Sequence, residues 1–212
     1  MNLDILSLLL LIASVLILQV KKISSAVKLL SFQSVILAFL AGMMAYLTDI
    51  SHLFIIAILT LLIKALVIPY ILLHTIIKID IKREVERFMG RQATLLAAFI
   101  LVILGYYVTS RLELPTGEST GQFLPASIIL ILHGAYTMIT HKKAIMQGIG
   151  LITIENGLFL LAMTLTYGMP MFVELGIFFD LLIAVIIIGL LSYRINTTFE
   201  SLNTDKLQNL KG

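Results

Sequence analysis

The sequence predicts an all-α bundle of about seven membrane-spanning helices, with the N-terminus outside and the C-terminus in the cytoplasm. The first reason is composition. Of 212 residues, 59% are hydrophobic and only 13% are charged, with a mean hydropathy of +1.06. A soluble domain is nearer a quarter charged and needs that charge to cover its surface. The second reason is span length. Seven apolar stretches, near 3–20, 26–47, 53–76, 92–109, 123–140, 146–167 and 170–191, suit a helix that needs about 20 residues to cross hydrocarbon. The third is charge. Every Lys and Arg except Lys64 and Arg111 falls after the first, third or fifth stretch or in the C-terminal tail. The positive-inside rule assigns those segments to the cytoplasm.

The elements follow in order. The first stretch carries Asp4 at its start, lacks a basic leader and runs into Gln19-Val20-Lys21-Lys22 with no small-residue cleavage site, so it reads as a retained helix. Lys21, Lys22 and Lys28 mark its cytoplasmic end; Lys78, Lys82, Arg83, Arg87 and Arg91 follow the third stretch; Lys142 and Lys143 follow the fifth; Arg194, Lys206 and Lys211 lie in the tail. The opposite side carries Arg111 among Asp4, Asp49, Glu113 and Glu118. Tyr46, Tyr106, Tyr107, Tyr167 and Tyr193 fall at helix ends, where an aromatic belt sits. The hydrophilic stretches 78–91 and 110–122 are too short to be domains.

Several chemistries are excluded. The net charge of +3 is scattered over loops rather than gathered on a basic face, so nucleic acid is not an expected partner. With no cysteine the chain holds no thiolate metal site, iron–sulfur cluster or disulfide. His52, His74, His133 and His141 form no HExxH or HxH pair, so neither a metal nor a cofactor is expected in this chain.

The informative residues are the ionisable ones inside apolar stretches. Lys64 lies midway along the third, His133 along the fifth, Glu155 along the sixth and Asp180 along the seventh. A charge at the bilayer centre costs roughly 2.5–3.5 kcal/mol on insertion scales, so such groups pair, face water or mark an ion path. Lys64 can pair with Glu155 or Asp180 as simple helix glue; two acids against one lysine leave a carboxyl over, free to change protonation. A lone His in a helix is more often a hydrogen-bonded core residue than a relay. Glu174, near the outer end of the last stretch, is a further candidate. Pro69 lacks an N–H and is expected to free the Ala65 carbonyl or kink its helix. Gly148, Gly150 and Gly157 around Glu155, and Gly176 before Asp180, allow close helix approach or leave room for water.

Glu155-Asn156-Gly157, Val173-Glu174-Leu175-Gly176-Ile177 with Asp180, the run Ile63-Lys64-Ala65-Leu66-Val67-Ile68-Pro69 and the tail from Leu202 to Gly212 together resemble the hydrogenase-4 component E family. The resemblance covers nearly the whole chain. From about Phe123 onward the chain also resembles the K subunit of respiratory complex I and the C component of multi-subunit sodium/proton antiporters of the Mrp type. Asp180 matches the second buried glutamate of those families. The first is displaced: Ile149-Gly150-Leu151 is followed by Ile152, and the acid arrives at Glu155, about one turn or 4–5 Å further on.

The resemblance implies a four-helix extension over 1–109 and a three-helix K-like part over 123–212. It implies a non-redox subunit of a complex I-like, formate hydrogenlyase-type hydrogenase in the cytoplasmic membrane. Its partners would be antiporter-like large membrane subunits, the membrane subunit that docks the redox arm, and hydrogenase and iron–sulfur proteins, all set in the lipid bilayer. Catalysis would lie on the partners. Glu155 and Asp180 would carry protons or ions, Lys64 would tune them, and His133 and Glu174 would extend the path. The alternatives are a structural spacer that conducts nothing, a subunit of a cation/proton antiporter, and a stand-alone transporter or receptor. The last stretch, 170–191, has no lysine for a retinal Schiff base.

Overall fold

A computed structural model describes residues 3–49, 51–78, 85–112 and 123–166, together with 182, 183, 185–187 and 189. Six helical rods account for nearly all of the continuous segments. They are α1 (Leu3–Gln19), α2 (Ile23–Thr48), α3, α4 (Arg91–Ser110), α5 (Phe123–Thr140) and α6 (Ala144–Thr166). The third rod, α3, runs through Ser51–Leu59, a π-helical stretch Thr60–Val67, and Ile68–Lys78. No β-strand occurs among the described residues, only an isolated backbone bridge between Arg87 and His141.

These rods coincide with the first six apolar stretches. Five of them, α2 through α6, are long and apolar enough to cross a membrane, by length and composition. At 17 residues α1 is about 25 Å long, somewhat short of the roughly 30 Å of a hydrocarbon core. The seventh stretch, 170–191, lies almost entirely outside the described residues. The chain is a multi-pass membrane protein.

Helix ends and close approaches explain the packing. Asp49 closes α2 at φ 56°, the left-handed region that Asp tolerates better than most residues, and α3 starts at Ser51. The tightest pair is α5 with α6. A Cβ on Gly134 would sit 2.6 Å from the Gly150 carbonyl oxygen, and one on Gly150 2.7 Å from the Gly134 carbonyl oxygen. A Cβ on Gly157 would sit 2.8 Å from the Ser127 carbonyl oxygen. In lipid, where tails are as apolar as leucine, such backbone contact supplies the dispersion that holds helices together. Helix α4 docks on α5 through Gly105, where a Cβ would meet Ile129.

The ends of α1, α3 and α5 meet at one end of the bundle. The Val85 amide donates to the Lys21 carbonyl, the Phe88 amide to the Thr140 carbonyl, and the Lys142 amide to the Glu86 carbonyl, at 2.8, 2.9 and 3.2 Å. The Arg87 guanidinium donates to the Val20 carbonyl, and Lys143 pairs with Glu86 at 3.3 Å. So the ends of α1 and α5 and the segment 85–88 that leads into α4 are knitted into one face. Tyr46, Tyr106 and Tyr107 sit exposed near the other ends of α2 and α4, as a belt of amphipathic rings requires.

His141 sits under this clasp, fully buried. Its Nδ1–H donates to the Thr137 carbonyl at 2.9 Å, and its Nε2 has no partner among the described residues. Burial holds the ring below its ordinary 6.5, helped by the Arg87 charge and opposed by the Thr137 bond. As pH falls past that value the unfolded chain binds a proton before the folded one. This stabilisation is therefore complete above pH 6.5 and is lost as pH falls through the folded value. The thermal midpoint of the wild type is expected to drop more steeply between about pH 7.5 and about pH 5.5 than that of a His141→Asn variant. Parallel pH profiles would show that this ring does not contribute.

Candidate functional site at the bundle midplane

The buried apolar side chains form two clusters, one towards each end of the bundle. One gathers around Leu10, Leu37, Leu40, Ile56, Ile129 and Phe159. The other gathers around Ile17, Leu30, Ile68, Leu72, Ile149 and Ile152. Between them lies a polar layer. Along α1, α2, α3 and α6 the change from one cluster to the other is marked by buried polar side chains: Ser14 on α1, Gln33 and Ser34 on α2, Thr60 and Lys64 on α3, and Thr153 and Asn156 on α6; on α5 the buried His133 follows the last residue of the first cluster. Glu155 stands beside Asn156.

Lys64 is the centre of one half of this layer. It is fully buried, and its Nζ lies 2.7 Å from Glu155 Oε1, whose side chain is 13% exposed. The same ammonium donates to Asn156 Oδ1 at 3.3 Å and stands 5.2 Å from the Phe159 ring centroid. Of the two acids that the sequence offers Lys64, Glu155 is thus a direct partner. Asp180 and Glu174 lie outside the described residues.

The backbone carrying Lys64 is locally widened. Within Thr60–Val67 the helix takes π geometry, and the Ile68 amide donates to the Ile63 carbonyl, five residues back. Pro69, next in sequence, has no N–H, and its ring crowds the carbonyl four residues earlier. That carbonyl, on Ala65, is not left free: the Ser31 hydroxyl of α2 donates to it at 2.6 Å. Of the expected freed carbonyl or kink, the carbonyl is taken up by a hydroxyl on a neighbouring helix, and the backbone before Pro69 widens to π geometry. The same bond, with the approach of Gly42 to Ala57, fixes the antiparallel register of α2 and α3. This register sets Gln33 level with Lys64.

Several atoms of this half-layer are buried without a partner among the described residues: both amide ends of Gln33, Thr60 Oγ1, Glu155 Oε2 and Asn156 Nδ2. An unsatisfied buried polar atom costs about 1–3 kcal/mol. Protein interiors satisfy such atoms with protein groups or ordered water. These unsatisfied groups set this level apart from the apolar clusters above and below it.

His133 belongs to the other half. The close contacts of Gly134 with Gly150 and of Gly157 with Ser127 set the α5–α6 register. They place His133 near the level of Thr153, about two residues or 3 Å from that of Glu155. Gly134 faces α6, so the residue before it points elsewhere. The His133 ring reaches Ser14 of α1, with Nδ1 2.8 Å from Ser14 Oγ, and Ala98 of α4, with Nε2 3.1 Å from the carbonyl oxygen. Both side chains are buried. Among the described residues no hydrogen bond joins this set to Lys64 and Glu155, although the two share a layer.

Sequence reasoning singled out the charged members and missed Gln33, Ser14, Asn156 and Thr60. Their signal was present: each is a polar residue far inside an apolar stretch. An uncharged polar residue there is common enough that only its partners distinguish it.

Uncharacterized protein Rv0085 of Mycobacterium tuberculosis is 30% identical over 157 residues, covering 74% of this chain and 71% of that protein. Hydrogenase-4 component E of Escherichia coli and of Shigella flexneri are each 28% identical over 149 residues, covering 70% of this chain and 69% of theirs. The chain is similar to proteins named hydrogenase-4 component E, the family its sequence resembles. No family model and no solved structure matches it.

Proposed function

We propose that the chain is a membrane subunit of a hydrogenase-type complex and that its midplane polar layer carries protons or ions laterally, coupled to electron transfer on partner subunits. The observation that carries this reading is the buried Lys64–Glu155 pair, with the second carboxylate oxygen unclaimed among the described residues and Asn156 alongside. Placing an ion pair at that depth is costly, and a mid-membrane ionisable residue is a functional site by default. Lys64 holds one oxygen of the Glu155 carboxylate in a direct ion pair. A carboxylate with one oxygen held by a lysine and the other open to the layer can accept a proton and pass it on. Asp180 and Glu174 would continue the path into the last helix, and His133 would extend it on the far side of α5.

The relatives named hydrogenase-4 component E support the assignment to a hydrogenase complex. In this reading the face formed by the ends of α1 and α5 and the segment 85–88 is cytoplasmic, the N-terminus lies outside and the C-terminus inside, in the cytoplasmic membrane. The chain carries no redox group itself. Hydrogenase and iron–sulfur subunits would do the electron chemistry, and antiporter-like membrane subunits would flank it.

The test is Glu155→Gln in the assembled complex. The expected result is a complex that still assembles and still moves electrons but loses most of its coupled ion transport. Wild-type transport in that variant sinks the proposal. A second reading, a spacer that conducts nothing, has a specific observation in its favour: the same pair ties α3 to α6. In that case both Glu155→Gln and the double change with Lys64→Met keep full coupling. Affinity purification separates the remaining reading. Recovery of antiporter-like subunits without any redox partner would move the chain to an ion antiporter.

A further inference from the structure

His133 sits in a hydrogen-bond chain whose protons can be counted. The chain runs from the Leu11 carbonyl oxygen to Ser14 Oγ at 2.7 Å, from Ser14 Oγ to His133 Nδ1 at 2.8 Å, and from His133 Nε2 to the Ala98 carbonyl oxygen at 3.1 Å. Both ends are carbonyls, which only accept. So Nε2 must carry a hydrogen. If Ser14 donates to the Leu11 carbonyl, Nδ1 must carry one as well. Three bonds at hydrogen-bonding distance need three protons. A neutral imidazole and a hydroxyl together hold two.

From this count we infer that Ser14 and His133 form a proton-binding site, with His133 as acceptor and Ser14 as its positioning residue. In the neutral state Nε2–H donates to the Ala98 carbonyl and the Ser14 hydroxyl turns to donate to bare Nδ1. When a proton arrives from a water or carboxylic acid of the polar layer, it binds Nδ1. The Ser14 hydroxyl then turns away and donates to the Leu11 carbonyl, while its oxygen accepts from Nδ1–H. No heavy atom need move. The bonds change from two to three, and the ring gains one positive charge. Release is the reverse. A charge-assisted bond is the stronger kind, so the geometry favours uptake by more than an isolated buried ring would allow.

Among the described residues the surroundings do not supply a competing charge. Helices α1, α4 and α6 pack on α5. Among their titratable residues, Asp4 is at the N-terminal end of α1, Arg91 is at the start of α4 and Tyr106 and Tyr107 near its end with Arg111 just beyond, and Glu155 on α6 engages Lys64. Tyr136 on α5 itself reaches Met89, and His141 lies two turns further on beneath the Arg87 clasp. No ion pair involves His133 among the described residues.

This inference deepens the proposed path and rests on it for its purpose, but its test does not. The full chain is prepared with imidazole-¹⁵N histidine in lipid vesicles, and His133→Gln assigns the signal by its loss. Solid-state NMR then follows both ring nitrogens against pH. Neutral His133 is expected with the proton on Nε2, and acid is expected to protonate Nδ1 with Nε2 still bonded. Ser14→Ala should lower the midpoint by about one pH unit, a tenfold loss of proton affinity, and Ser14→Thr should restore it. A neutral ring with its proton on Nδ1, a ring that stays neutral down to the pH of unfolding, or an unchanged midpoint in Ser14→Ala would each overturn the site. Failure of the ion path reads out separately, as full transport in Glu155→Gln, and leaves these spectra unaffected.

Discussion

Lys64→Met is expected to destabilise the chain by about 3–5 kcal/mol, the usual loss when one partner of a buried pair is removed. The ammonium is fully buried, and its removal takes the partner from Glu155 Oε1 and the donor from Asn156 Oδ1 at once. Glu155 Oε2 already lacks a partner among the described residues, so the carboxyl has nothing there to turn to. Adding Glu155→Gln to Lys64→Met should recover most of the stability, because neither member of the pair is then left as an uncompensated charge. A double-mutant cycle on thermal midpoints in mild detergent measures the coupling. Additive effects would show that the pair contributes nothing as a pair. The same double variant separates stability from function: the proposed path predicts a well-folded subunit in a complex that no longer couples.

Gly150→Val should be among the most damaging single changes in the bundle. Even a methyl group at this position would stand 2.7 Å from the Gly134 carbonyl oxygen and 3.0 Å from the Met138 amide nitrogen. Those are backbone atoms of a helix and cannot turn aside as a side chain could. The two helices must separate, and the dispersion of a close backbone seam is lost along its length, including the contact of Gly157 with Ser127. Overpacking commonly costs 1–3 kcal/mol, and a seam of rigid backbone lies at or above the top of that range. The predicted outcome is failure to accumulate in the membrane, or a thermal midpoint far below the wild type. Gly42→Ala is the control. Its Cβ would meet only Ala57 at an ordinary 3.8 Å, within a helix where Ala is preferred over Gly by about 1 kcal/mol. Stability should be unchanged or slightly raised there. Equal tolerance at both positions would mean that the seam does not hold α5 to α6.

The two changes bear on one another. Helix α6 carries Glu155 between Gly150 and Gly157, so the seam that Gly150→Val disrupts also sets the height and facing of the carboxyl. The side of α6 that meets α5 is glycine, and the side that meets α3 is acid and amide. A loosened seam should therefore weaken the Lys64–Glu155 contact without touching either residue.

Much of this was legible in the residues alone. The α-helical class, the rods α1 to α6 and the membrane setting follow from apolar runs of bilayer length in a chain too poor in charge to cover a soluble surface. The depth of Lys64, His133 and Glu155 follows from counting 1.5 Å per residue along those runs. A pairing of Lys64 with an acid follows from the cost of leaving it alone in hydrocarbon. These are one-dimensional properties, carried by length, polarity and spacing. Which acid Lys64 meets, where the Ala65 carbonyl goes and which way His133 faces were decided only by tertiary structure. Each depends on the rotation of one helix about its axis relative to a neighbour distant in sequence. That rotation is fixed by contacts such as Gly134 on Gly150 and Ser31 on Ala65. Gln33, Ser14 and Asn156 became informative for the same reason: a polar residue in an apolar run acquires a role only when packing brings other polar atoms to its level and excludes the lipid.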